Sequence, residues 1–271
     1  MKLAYSVATP DVSGAVMAFS GDFQANISAI KAIGYEAVEL LVRNPDELDA
    51  LEIAKQIDQC GLSVAAVGTT PAALEDGLTL LAKDQETRQK AMERILRIID
   101  FAEFFHVPVS IARYRGELWK EDREGAVLEL SSALKQICDY AQKKNISVLL
   151  EPQSKVQINN LNTTAETLVW IEQIGCENLG ILFDTFHADL EETSLASGIL
   201  GAKGKIGLVH CADSKRLPPG IGRINFTDVF AALKAIGYEG FVSVEINQRP
   251  DSYTVAELAY KNMKFLLDHV I

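Results

Sequence analysis

Short apolar runs alternate with longer stretches of helical spacing from one end of the chain to the other. Lys2–Ala8 reads as a first strand, and a loop rich in Gly and Ser follows to about Asp22. Asn26–Ile33 has helical spacing, with Gly34 as its C-terminal stop. Ala37–Leu41 is a second strand. Pro45-Asp46-Glu47 then opens a helix that runs to Cys60-Gly61, with proline and acids in its first turn. Ser63–Val67 is a third strand and Gly68–Pro71 a loop. The pattern continues with a long amphipathic helix over Asp84–Phe105, a strand at Val109–Ala112, a helix over Arg123–Lys144 and a strand at Ser147–Leu150. Thr163/Thr164 with Glu166 caps a helix that ends near Ile174. Strands at Leu179–Phe183, Ile206–Val209 and Phe241–Val244 follow, with helices over 190–201, Thr227–Ile236 and Ala256–Val270. Eight short apolar strands alternating with helices predict a parallel sheet closed into a (β/α)8 TIM barrel, with no composition break to divide residues 1–271 into two domains. The segment Lys31–Glu36 recurs letter for letter as Lys234–Glu239. Both copies read as a helix end, a glycine stop and a strand entry, so both are expected in equivalent turns at the bottom of the barrel.

Composition supports an enzyme-sized core. Hydrophobic residues are 48% of the chain, too many for a disordered one. With 26 Lys+Arg against 37 Asp+Glu the formal net charge is −11, which repels a phosphate backbone and argues against nucleic acid as a partner. The four cysteines, Cys60, Cys138, Cys176 and Cys211, are scattered without a CxxC pair, which suits reduced thiols in a cytoplasmic protein. No apolar run reaches transmembrane length, so no membrane partner is expected. Leu3–Ala8 is too short for a signal-peptide core.

The candidate chemistry sits at strand ends. The last four strands run into Glu151, Asp184, His210 and Glu245, spaced about one βα unit apart. In a barrel the C-terminal strand ends open into one mouth, so residues distant in sequence converge there. One acid at a strand end is usually a helix cap or a solvated charge. Three carboxylates in one mouth would repel one another without a cation. The set therefore predicts one divalent metal ion, Mn²⁺ or Mg²⁺ by its oxygen-rich character, with Co²⁺ or Zn²⁺ also compatible.

The Glu-Pro after strand five, the Asp-x-x-His of Asp184 and His187, the His followed six residues later by Arg216, and the Val-Glu of strand eight resemble the xylose-isomerase-like barrels. Within these, the chain is most similar to the sugar phosphate isomerase/epimerase group, including ketose 3-epimerases of the D-tagatose and D-psicose type. Arg216-Leu-Pro-Pro-Gly-Ile-Gly222 is similar to that group's Arg…Pro-Gly-x-Gly loop, and Asn162 falls where the group often has Asn. The resemblance implies a metal held by Glu151, Asp184, His210 and Glu245. It implies substrate contacts from His187 and Arg216, and Glu151 and Glu245 as proton acceptor and donor on opposite faces of the substrate. It also implies a small carbohydrate partner and a homo-oligomer, dimer or tetramer. One position departs: Gln157 stands six residues after the first ligand, where ketose epimerases tend to carry a substrate-binding Glu. A Gln still hydrogen-bonds a hydroxyl but does not repel an anionic substrate.

The chemistry agrees with the residues themselves. Inverting or moving a carbonyl in a sugar removes a weakly acidic C–H proton and leaves an enediolate whose charge a chelated cation stabilises. A carboxylate ligated through one oxygen keeps the other as a base. Arg113-Tyr114-Arg115 follows strand four, and Arg113 with Lys215, Arg216, Arg223 and Arg249 either recognises a substrate anion or pairs with the protein's own acids. Glu39 either orients a His or Arg of the site or is a structural acid paired with Arg. His106 and His269 suit helix C-termini, and Trp119 and Trp170 suit packing. Asp213 and Lys215 are left without a role.

The expected activity is a metal-dependent isomerase or epimerase on a small sugar, sugar phosphate or keto-inositol. A dehydratase uses the same enediolate and stays open. Endonuclease IV shares the barrel, but it needs about three zinc ions and many histidines, and this chain has four histidines and an acidic balance. A non-catalytic sugar-binding module would not need both glutamates and His187.

Overall fold

Every apolar run assigned to a strand pairs with the next one along the chain. β1 (Lys2–Ala8), β2 (Ala37–Leu41), β3 (Ser63–Gly68), β4 (Val109–Ile111), β5 (Val148–Leu150), β6 (Leu179–Asp184), β7 (Ile206–Cys211) and β8 (Phe241–Val244) lie in chain order, and β8 closes on β1. All eight pairings are parallel. This is a computed structural model describing residues 1–270. The helices are α1 (Phe23–Ile33), α2 (Ala50–Gln59), α3 (Thr70–Glu75), α4 (Gln85–Phe105), α5 (Arg123–Gln142), α6 (Thr164–Ile174), α7 (Thr185–Glu191), α8 (Leu195–Gly201), α9 (Phe226–Ala235) and α10 (Ser252–His269).

The departures from expectation are at helix boundaries. The helix expected from Pro45 is broken: Pro45–Glu47 makes a 3₁₀ turn, Leu48 and Asp49 are extended, and α2 starts at Ala50 under an Asp49 cap. The loop expected over 68–71 already contains the start of α3, because proline is tolerated in a first helical turn. The single helix expected over 190–201 is two, with Glu192 extended at the end of α7 and Ser194 capping α8. Asp251 caps α10 and starts it four residues before Ala256. The two copies of the repeated hexapeptide do lie at the bottom, leading into β2 and β8 on either side of β1. Glu36, Lys234, Tyr238 and Glu239 line one cleft there. Gly34 has φ 122°, and a Cβ on it would meet the Tyr260 ring at 2.6 Å.

Period-two alternation builds the lumen in layers. Ala66, Leu149, Leu182 and Leu208 fill its lower part, with Phe241 against them. Two residues further along three of these strands, the same inward face carries Glu151, Asp184 and His210. On β8, Ser243 is followed in the same way by Glu245. The outward faces, such as Val148, Ile181, Val209 and Val242, pack with the helices in the main core.

Candidate metal centre and active site

Asp184 is the last residue of β6 and His210 the penultimate residue of β7, while Glu151 and Glu245 each follow their strand directly. One ligand atom from each of the four lies within 4.8 Å of all the others, and all four side chains are buried. His210 Nδ1 is 3.8 Å from Glu151 Oε1, 3.7 Å from Asp184 Oδ2 and 3.6 Å from Glu245 Oε2. These separations are too long for hydrogen bonds and suit atoms arranged around a shared centre. Both His210 Nδ1 and Glu151 Oε1 are buried without a hydrogen-bond partner. Two orphaned buried atoms beside two further carboxylates fit a divalent cation, and the oxygen-rich set fits a hard one. No second group of this kind exists among the described residues.

The electrostatics carry the strain of four ionisable groups in one dry mouth. Burial, reinforced by Asp184 and Glu245, pushes the Glu151 carboxyl well above its usual range. Burial also opposes ionisation of Asp184, but Arg216, His187 and His210 outweigh it and hold Asp184 well below that range. Glu245 is lowered against its burial by His210 and Arg216. His210 is raised well above an ordinary histidine, because Glu39 and Glu245 overcome its burial.

Arg216 ties the site together. Its Nη1 donates to Asp184 Oδ2 at 2.7 Å and lies 3.1 Å from Glu245 Oε2, while Nη2 is 2.9 Å from His187 Nε2. The guanidinium stacks 4.5 Å above the Phe186 ring. His187 Nδ1 accepts from the Ser154 amide at 3.2 Å. Burial pushes the His187 pKa down to about 4, so the ring is neutral at pH 7. It stands 3.9 Å from Glu151 Oε1, beside the cluster. The turn that carries Arg216 uses left-handed backbone at Lys215 (φ 61°) and Arg216 (φ 57°), uncommon for non-glycine residues. Asp213 holds that turn: its carboxylate accepts from the amides of Ser214, Gly220, Gly222 and Ile224.

Gln157 and Arg113 stand together on the neighbouring rim. Gln157 closes a turn through its amide to Ser154 O at 2.8 Å, and Arg113 Nη2 donates to Gln157 O at 3.3 Å. Among the described residues, that carbonyl is the sole hydrogen-bond partner of the Arg113 guanidinium, which is half-buried. The other loop cations differ. Arg115 is fully buried on Asn160 and the Ala112 carbonyl, its pKa lowered to about 10 by burial, and so is a staple of the fold. Arg223 is exposed and paired with Asp189, and Lys215 and Arg249 are exposed. Asn162 braces the loop after β5 by donating to the carbonyls of Gln153 and Ile158. Trp119 donates to Leu81 O, Trp170 packs on the core, and His106 caps α4, all in structural roles as expected.

Two residues of the site lay beyond sequence reasoning. Gln153 donates to Glu151 Oε2 at 2.9 Å, and its one signal was a position two residues past the ligand. Asp213 had no assigned role. Glu39, expected either to orient a His or Arg of the site or to pair with an arginine, is in the middle of β2, and among the described residues it pairs with no arginine. Its Oε2 lies 2.8 Å from His210 Nε2.

A family model described as "Xylose isomerase-like TIM barrel" matches residues 27–269. The L-ribulose 3-epimerase of Methylomonas sp. (strain DH-1) is 29% identical over 245 residues, covering 87% of this chain and 84% of its own. The 3-dehydro-D-guloside 4-epimerase of Escherichia coli (strain K12) is 28% identical over 230 residues, covering 80% of this chain and 84% of its own. A solved structure of L-ribulose 3-epimerase superposes with a TM-score of 0.83 at 24% identity, over 97% of this chain and 94% of that one.

Proposed function

Because the chain belongs to the xylose isomerase-like TIM barrel family, we propose that it is a divalent-metal-dependent epimerase or isomerase of a small sugar or sugar derivative. The observation that carries this reading is the convergence of Glu151, Asp184, His210 and Glu245, with two buried ligand atoms left unpartnered in a mouth that also holds Arg216 and His187. Those four residues would hold the ion. When bound, a divalent ion supplies Lewis-acid stabilisation to the oxyanion that develops as the substrate loses its C–H proton. Its identity is proposed as Mn²⁺ or Mg²⁺ from the three carboxylates in the set.

The chain's own residues do the rest. Glu151 comes from β5 and Glu245 from β8, so the two carboxyls reach the site from strands separated by β6 and β7. A substrate carbon between them would meet one on each face. One removes the proton and the other returns a proton to the opposite face, which inverts that carbon. Their environments push their pKa values apart, Glu151 up and Glu245 down, as an acid and base pair requires. Gln153 holds the second oxygen of Glu151 and so aims it. Neutral His187 and the Arg216 guanidinium contact substrate oxygens, and Gln157 binds a hydroxyl at the rim.

Arg113, a half-buried cation on the same rim with no carboxylate partner among the described residues, favours a substrate carrying phosphate or carboxylate. Among the described residues, no helix is long and apolar enough to cross a membrane. We place the protein in the cytoplasm, since its four cysteines are free and three are buried, and as a dimer or tetramer by likeness to its group. A screen of ketoses, their phosphates and keto-inositols for deuterium uptake from solvent, with several divalent metals, tests the reading. Uptake at one carbon with metal and none after chelation is the expected result. Loss of water from the substrate would instead identify a dehydratase, and uptake with no substrate would refute both.

A further inference from the structure

We propose that Glu39 is the residue that makes His210 a metal ligand, by fixing which ring nitrogen faces the other three. This inference rests on the metal reading above. A neutral imidazole carries one N–H and one lone pair, and only the lone pair binds a cation. Glu39 Oε2 lies 2.8 Å from His210 Nε2, and an ionised carboxylate only accepts. When an ion displaces the other proton of the ring, the one that remains therefore sits on Nε2, and the Nδ1 lone pair is presented to the centre shared with Glu151, Asp184 and Glu245. The other tautomer, with its proton on Nδ1, would point an N–H at three carboxylates and could take no ion.

The barrel is shaped around this contact. Glu39 stands on β2 and His210 on β7, with β8 and β1 between them, so the glutamate reaches His210 across the lumen. The side chains at this level are small. Ser6, level with Glu39 on β1, donates to the same Oε2 at 3.4 Å, and Ser243 is level with His210 on β8. On β3 the residue level with Glu39 is Ala66, and at Gly68, two residues further on, a Cβ would lie 3.5 Å from Glu39 Oε1 and 2.7 Å from Leu41 Cδ2. Glu39 is fully buried, and no Lys or Arg forms an ion pair with it among the described residues. A carboxylate buried without a basic partner is costly as mere packing, and a cation one imidazole away offsets that cost.

The test uses the full chain and Mn²⁺ as probe, with wild type, Glu39→Gln and Glu39→Ala. Calorimetric titration should show Mn²⁺ affinity falling about 10–100-fold in Glu39→Ala, and less in Glu39→Gln, whose amide oxygen still accepts from Nε2–H. Long-range ¹H–¹⁵N spectra of the Mg²⁺-loaded chains, in which no paramagnetic ion broadens the ligated ring, should show protonated Nε2 on His210 in wild type and loss of that single tautomer in Glu39→Ala. Circular dichroism checks that each variant is folded. If a misfolded Glu39→Ala leaves only Glu39→Gln to read, reduced affinity there supports the inference and unchanged affinity refutes it. Folded variants that bind Mn²⁺ within about twofold of wild type, with an unchanged tautomer, would reduce Glu39 to packing. If wild type itself takes up no divalent ion, the metal reading fails and this inference falls with it.

Discussion

Glu151 and Glu245 are the residues on which the proposed chemistry turns, and each can be tested by removing one oxygen's basicity while keeping its shape. Glu151→Gln or Glu245→Gln should lower solvent deuterium uptake into substrate by at least about 10²-fold, with circular dichroism unchanged. Wild-type exchange in both would remove the two-base scheme. Arg113 sits outside the buried cluster, so Arg113→Ala should leave turnover of a neutral ketose nearly unchanged. It should raise KM for a phosphorylated or acidic analogue about tenfold, in proportion to a lost charge-assisted hydrogen bond. Equal effects on both substrates would exclude an anion-reading role. At this scale the sequence showed which residue types end the strands. It could not show that Arg115 turns inward to Asn160 while Arg113 stays at the rim, because two arginines two positions apart are separated only by the course of the 3₁₀ turn over 113–115.

Elements aim these residues, and the clearest case is the segment from Asp213 to Ile224. One buried carboxylate collects four backbone amides and so holds the strained turn that sends Arg216 back over Asp184. Asp213→Ala should strand those donors and lower stability by about 2–4 kcal/mol. It should also raise KM more than it lowers kcat, since Arg216 would lose its setting. Urea unfolding and steady-state kinetics check both, and an unchanged KM would mean that Arg216 is held by its own ion pairs. Helix starts were read well where a cap precedes an apolar stripe, as with Thr163 and α6. They were misread at Pro45 and Pro71, because proline opens a helix and breaks one with the same local signal. The break between α7 and α8 has no proline or glycine to mark it.

For the whole molecule, four strands of the barrel meet at one buried, charge-dense centre, so ion binding and folding should be coupled. Chelation should lower Tm by roughly 5–10 °C, and Mn²⁺ at about 100 times its Kd should restore it, as expected for about 2.7 kcal/mol of linkage in a chain of this size. Binding should also release protons near pH 7. Glu151 and His210 are both shifted upward, so both carry protons that a cation must displace, and affinity should rise with pH across neutrality. Titration calorimetry in two buffers of different ionisation enthalpy measures the release. Zero release would mean that these groups are already deprotonated without the ion.

The order and number of strands, the barrel they close into and the four residues at its mouth followed from the sequence, because period-two and helical patterning and strand-end position are local signals. The pairing of those four residues with their partners did not, beyond the expectation that Glu39 could orient a His or Arg of the site. Glu39 meets His210 across the lumen, Gln153 aims Glu151, and Arg216 folds back over Asp184 and stands against His187. Such contacts depend on strand stagger around a closed barrel and on loop backbone in left-handed conformations, neither of which is encoded in the spacing of residues along one strand.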